Sequence, residues 1–237
     1  MSQLALPLRL PRLGGFASFV ADGNEAAVAA VRDWAAAPRQ PHGQRFVYLH
    51  GAAETGKSHL LAAAAQAVVE QGGAALYLPL DQAGPVPEML DDLEQRDAVL
   101  IDAVHQIAGD AAWERALFDL YNRLDQAGRR LMVAARMPPA ALGLGLPDLT
   151  SRLCAGAAYR LDALDDAGSA RLLACAAAER GLTLDQAVVS YILTRCHRAP
   201  SRLLRLLDAL DRYSLERGRA PTVRLVGELL AERGIDG

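Results

Sequence analysis

Aromatic residues are scarce, at 5% of the 237 positions, too few for a platform of stacked bases. Cysteine is scarcer: Cys154, Cys175 and Cys196 stand far apart, with no CxxC spacing. An odd, scattered set argues against a disulfide framework and a zinc site, and for a reducing cytoplasm. The five histidines are equally dispersed. No apolar run approaches the ~20 residues that a membrane-crossing helix needs. The opening stretch MSQLALPLRLPRLGG is broken by prolines and arginines, which argues against a signal peptide. Basic charge is not in excess either, because the formal net charge of −3 leaves no overall field for nucleic acid or an anionic membrane.

What is present is apolar residue, 51% of the chain, much of it alanine as at Ala62 to Ala65 and Ala176 to Ala178. That is enough for a core and favours close-packed helices. Arginines gather at Arg195, Arg198, Arg202, Arg205 and Arg212, interleaved with leucines at helical spacing. Such a pattern reads first as a solvated helix face, with DNA contact as the rival reading.

Along the chain, Asn24 is placed to cap a helix from Glu25 to about Ala37, closed by Pro38 and Pro41. Short apolar runs then alternate with helical segments. Strands are predicted at 46–49, 75–78, 98–101 and 131–134, and helices at 57–71, 87–95 and 110–127. This alternation implies an α/β domain with a parallel sheet covered on both faces. After about Leu161 the pattern is helical only, near 166–180, 185–196, 200–217 and 222–233. The expected division is a leader at 1–15, an α/β base domain at 16–161 and a small all-helical domain at 162–237.

Gly51-Ala52-Ala53-Glu54-Thr55-Gly56-Lys57-Ser58 satisfies G-x-x-x-x-G-K-[ST] between a predicted strand and a predicted helix. That context turns a loose motif into a phosphate-binding loop. Its backbone N–H groups and the following helix N-terminus would cradle phosphates. Lys57 would reach the β- and γ-phosphates and Ser58 would hold Mg²⁺, with His59 counted among the nucleotide contacts. Asp102 ends the strand 98–101, where a carboxylate holding Mg²⁺ through water belongs. The next residue is Ala103, where a hydrolysing enzyme of this class needs an acid to polarise water. The fourth strand ends in Ala134-Ala135-Arg136, without a small polar residue to orient that water. The expectation is a site that binds ADP or ATP and hydrolyses poorly.

Several further stretches carry a resemblance: Phe16 to Phe19, Leu76 to Asp81, Ile101-Asp102 with Ile107 to Asp110, Trp113 with Ala116 to Arg123, and Leu144 to Leu153. In these the sequence resembles the AAA+ family, within it the DnaA group, and still more closely the Hda group of DnaA regulators. The resemblance implies a five-stranded parallel AAA+ base domain followed by a small helical lid, with a nucleotide between them. It assigns Arg152 as an arginine finger that would act in trans on the nucleotide of DnaA. Read without it, Arg152 is better placed for a helical ion pair with Asp148, four residues earlier. The sensor arginine of the lid is implied near Arg202, with Arg198 also open.

With the given sequence ending just past the implied lid, the resemblance implies a member without the initiator's DNA-binding domain, and the start of the sequence looks like a peptide that binds the DNA polymerase III β sliding clamp. Pro7 restricts Leu6 to extended geometry. Leu4, Leu6 and Leu8 supply apolar anchors and Gln3 an orienting amide; on the residues alone a disordered or strand-forming leader is as good a reading. The implied function is negative regulation of replication initiation in the cytoplasm: clamp binding, stimulation of ATP hydrolysis by DnaA, and contact with DNA only through the clamp. Self-association stays open. The rival reading is an autonomous ATPase acting as a loader or remodelling motor.

Overall fold

The computed structural model describes residues 15–36 and 45–233. By chain contacts it divides into two compact units, one of residues 1–19 and 24–162, the other of 20–23 and 163–237.

The first unit is built on a five-stranded sheet in which every pairing is parallel, in the order β2-β3-β4-β1-β5. The strands are β1 (Phe46–His50), β2 (Ala75–Pro79), β3 (Ala98–Asp102), β4 (Arg130–Ala135) and β5 (Ala157–Arg160). β3 and β4 are buried along their whole length, as the apolar runs at 98–101 and 131–135 require. β5 alternates between half-buried and exposed positions, as suits the edge. That alternation, AAYR, carries almost no hydrophobic signal, so composition and periodicity did not reveal the strand.

Helices cover both faces. On one face, α3 (Ala111–Gln126) and α4 (Pro147–Ala155) pack Leu117, Leu120, Tyr121, Leu124, Leu149 and Leu153 against Tyr48, Val99, Ile101, Leu131 and Val133. Side chains alternate along a strand, so the buried Val47, Leu49, Leu100 and Met132 belong to the opposite face. There α1 (Glu25–Ala36) and α2 (Lys57–Glu70) pack, α1 through Ala27, Val28, Val31, Trp34 and Ala35, a stripe at helical spacing. The Asn24 amide ties the chain before α1 to the end of the sheet. Its Nδ2 donates to the Asp162 carbonyl at 3.0 Å and its Oδ1 accepts the Asp162 N–H at 2.8 Å.

One predicted helix does not form. Residues 87–95 make two 3-10 turns, Pro87–Leu90 and Leu93–Gln95, separated by Asp92 in the left-handed region at φ 57°. Leu90 and Leu93, one in each turn, are the buried positions, too little apolar surface for a longer helix. An aspartate tolerates the left-handed conformation that breaks the run.

The second unit is helical: α5 (Asp166–Glu179), α6 (Gln186–Arg195), α7 (Pro200–Arg217) and α8 (Val223–Arg233). Asp165 and Asp185 cap α5 and α6 by accepting the N–H groups of Gly168 and Val188. α7 ends at Gly218, in the left-handed conformation that stops a helix. The core joins Leu173, Ile192, Leu203, Leu207, Leu210, Val226 and Leu229, with Val20 packed against it. Asp22 pairs with Arg171 at 2.5 Å, so a four-residue segment ahead of α1 belongs to this unit. Among the described residues no helix is long and apolar enough to cross a membrane.

Candidate functional site

In a parallel sheet every strand points its carboxyl end to the same edge, and the loops there form a crevice. β1 delivers the chain at that edge into the loop Gly51 to Gly56, which turns directly into α2. Gly51 approaches the Leu161 carbonyl so closely that a Cβ would lie 2.2 Å from its oxygen. Gly56 has φ 88° and faces the Phe19 ring, 2.6 Å from where a Cβ would be. Both glycines of the motif are therefore required by geometry.

Lys57 is buried and curls back over the loop. Its Nζ donates to the carbonyls of Gly51 at 2.8 Å and Ala52 at 2.5 Å, and to Thr55 Oγ1 at 3.1 Å. The Thr55 hydroxyl in turn donates to the Ala52 carbonyl at 3.1 Å. Burial pulls the Lys57 ammonium below its ordinary value; the Asp102 carboxylate opposes this, Arg136 adds to it and Glu54 opposes it.

Asp102 closes β3 and is buried. Its Oδ2 accepts the Tyr77 hydroxyl at 3.0 Å and its Oδ1 accepts the Ala103 N–H at 2.8 Å. The Tyr77 hydroxyl also interacts with Ser58, and burial followed by the Asp102 carboxylate pushes the phenol far above its ordinary value. Tyr77 thus links the two proposed magnesium residues. Sequence reasoning missed it, because an aromatic inside a strand run reads as core. Exposed Ser58 and the anchored carboxylate form the hard oxygen set that suits Mg²⁺.

Ala103 holds φ 57°, a left-handed conformation unusual for alanine, at the position where an acid would polarise water. Two residues on, His105 keeps both ring nitrogens buried and without a hydrogen-bond partner among the described residues. Burial and then Arg136 hold its pKa below the ordinary histidine value, against the pull of Asp102. Lys57, Arg136 and His105 are therefore within electrostatic reach of one another and of Asp102. Like-charged and orphaned donors brought together this way suit an anion.

The remaining assignments fall elsewhere. His59 turns its ring to the chain ahead of α1, with Nε2 3.3 Å from both the Gly15 carbonyl and Ser18 Oγ and its ring edge-on to Phe19. Arg152 is exposed on α4, its guanidinium 5.6 Å above the Tyr121 ring centroid. The helical ion pair with Asp148 is not among the ion pairs of the described residues; the flat guanidinium lies on an aromatic face instead. In the second unit Arg198 pairs with Asp166, whereas Arg202 is exposed in the first turn of α7. Arg195 lies over Tyr191 and Arg212 donates to the Asp208 carbonyl, so much of the arginine cluster is engaged locally. Gln3, Leu4, Leu6, Pro7 and Leu8 lie outside the described residues.

A parallel sheet in the order found, a glycine-bounded phosphate loop after β1 and a carboxylate at the end of β3 give the fold of a P-loop nucleotide-binding domain. The fold is similar to domain III of the replication initiator DnaA from Thermotoga maritima, with a TM-score of 0.80 and 21% identity over 96% of this chain and 98% of that one. AMPPCP-bound DnaA from Aquifex aeolicus matches with a TM-score of 0.72 and 21% identity over 95% of this chain and 71% of that one. The Holliday junction branch migration motor RuvB of Thermotoga maritima matches at 0.69 and 15% identity, over 91% of this chain and 70% of that one. Residues 165–230 match the family model described as Hda, lid domain. The chain thus has the fold of the DnaA and RuvB structures, and its residues 165–230 resemble the lid domain of Hda.

Proposed function

We propose that this chain is an Hda-type negative regulator of replication initiation, which binds the DNA-loaded sliding clamp and triggers ATP hydrolysis by DnaA through Arg152. The observation that carries the reading is Arg152 itself: an exposed guanidinium on α4, free of an acidic partner among the described residues, in a chain whose second unit matches the Hda lid. A guanidinium reaching a γ-phosphate from a neighbouring protein neutralises charge that develops in the transition state. The leader, with Gln3, Leu4, Leu6, Pro7 and Leu8, would be the clamp anchor, bringing the chain to DNA indirectly.

The chain's own site serves to bind ADP or ATP with Mg²⁺ rather than to turn it over. Lys57 would leave the loop carbonyls for the phosphates, Ser58 and Asp102 would hold the metal, and the orphaned His105 with Arg136 would meet the terminal phosphate. Bound Mg²⁺ supplies charge neutralisation at the phosphates. Ala103 has no group with which to take a proton from water, which weighs against an autonomous motor. Arg202 is the preferred lid sensor, because Arg198 is committed to Asp166.

The test is ATP hydrolysis by DnaA in the presence of the chain and of clamp loaded on DNA, with the chain alone as control. Wild type should stimulate only in the complete mixture. Arg152→Ala should retain nucleotide and clamp binding yet lose about a thousandfold of the stimulation, the worth of such a group in related phosphoryl transfers. Arg152→Lys should stay impaired, because it keeps the charge but not the planar fork. Full stimulation by both variants would make Arg152 structural, and robust turnover by the chain alone would favour the motor. Alanine at Gln3, Leu4 and Leu6 together should abolish clamp capture; capture at wild-type strength would place the tether elsewhere.

A further inference from the structure

Glu114 lies in the first turn of α3 and is only 2% exposed, an unusual setting for a carboxylate. Backbone N–H groups compensate it. Oε1 accepts from Gly109 at 2.8 Å and Gly145 at 3.0 Å, and Oε2 accepts from Leu146 at 2.8 Å. Leu146 is the N-cap of α4, and its apolar side chain offers that helix no cap of its own. Pro147 follows at the first helical position, where it has no N–H to offer. The cap that α4 lacks in its own sequence is thus supplied from α3, as a negative charge at the positive end of the helix.

A second anchor lies further along the same two helices. Glu114 and Tyr121 are seven residues apart on α3, so they share a face and are spaced by about 10 Å. Leu146 and Arg152 are six residues apart on α4, about 9 Å by the same rise. The two spacings match. Glu114 grips the start of α4 and the Tyr121 ring, itself stacked on Phe46 at 4.1 Å, receives Arg152 near its end. Between them Leu149 and Leu153 enter the core.

We infer that Glu114 is a positioning residue for Arg152, holding α4 from its N-terminus so that the guanidinium is presented from Tyr121 at one place on the surface. The inference rests on the reading of Arg152 as the group that acts on a partner's nucleotide. The carboxylate oxygens of Glu114 are engaged by the Gly109, Gly145 and Leu146 N–H groups, so Glu114 acts only through α4.

Glu114→Gln keeps the shape, removes the charge and sets an amide NH₂ against a backbone N–H. In the chain alone, hydrogen exchange at Gly145, Leu146 and Thr150 to Leu153 should accelerate roughly tenfold or more, as loss of charge-assisted hydrogen bonds implies. Exchange in α2 and nucleotide affinity should not change. In the DnaA assay the maximal stimulation should fall with the half-saturating concentration unchanged. Added to Arg152→Ala, the substitution should cause no further loss, because both act through one group. Tyr121→Phe, which keeps the ring, should behave as wild type, whereas Tyr121→Leu should mimic Glu114→Gln.

Unchanged exchange at 145–153 would overturn the positioning role whatever DnaA does. Equal acceleration throughout the first unit, with weaker nucleotide binding, would make Glu114 a general stability residue and overturn it as well. A wild-type chain that never stimulates DnaA would instead sink the Arg152 reading, and exchange would still report whether Glu114 holds α4.

Discussion

Gly56→Ala tests the geometry of the phosphate loop with one methyl group. At φ 88° an alanine is strained by about 1–2 kcal/mol. Its Cβ would also lie 2.6 Å from Cε2 and 3.1 Å from Cζ of Phe19, a ring already held edge-on to His59. Overpacking of that kind costs about 1–3 kcal/mol. The two contributions together amount to about 2–5 kcal/mol, or about thirtyfold to a few thousandfold in an equilibrium constant. If the loop keeps its shape the cost appears as lost stability; if it yields, as weaker nucleotide binding. Both are therefore measured, by denaturant unfolding and by titration with ADP and a non-hydrolysable triphosphate. Phe19→Ala combined with Gly56→Ala removes the steric part only and should leave about 1–2 kcal/mol of backbone strain relative to Phe19→Ala alone. The reasoning is refuted if Gly56→Ala changes neither stability by more than about 0.5 kcal/mol nor affinity by more than about twofold.

Lys57→Ala should weaken nucleotide binding by about tenfold or more, since it removes a charged donor to the phosphates; calorimetric titration checks this, and equal affinity would remove Lys57 from the site. Arg130 is buried, donating to the Trp34 carbonyl at 2.7 Å and lying over the Trp34 ring at 5.1 Å. Arg130→Ala should cost about 3 kcal/mol or more in denaturant unfolding, and a loss under about 1 kcal/mol would show that the guanidinium is dispensable. His50 and His105 both titrate below the ordinary histidine value of 6.5 because burial disfavours their charged forms. The folded state then binds fewer protons than the unfolded, so stability should be complete above that value and fall as acid is added below it. His105→Gln should flatten this acid-side loss in melting experiments from neutral to acid pH, and an unaltered slope would refute the contribution of His105.

The elements that the sequence itself determined are those whose signal is local. The glycine-lysine-serine loop names its own conformation, because positive φ and close backbone approach admit few other residues. The strands at 46–49, 75–78, 98–101 and 131–134 and the lid helices follow from runs and periods that need no distant partner. Asp102 was legible from its place at the end of a buried run. Tertiary structure decided what depends on residues far apart in the chain. β5 exists because β1 offers it an edge. Residues 87–95 break at Asp92, where two buried leucines satisfy the core and a longer helix has nothing more to bury. Arg152 had a carboxylate four residues away, yet its guanidinium rests on Tyr121, which folding brings beneath it from another helix. Tyr77 and Glu114 look like ordinary strand and helix residues in the sequence. Only the fold shows one joining Asp102 to Ser58 and the other capping a helix that begins about thirty residues later, because a hydrogen bond is set by distance in space and leaves no periodic trace in the chain.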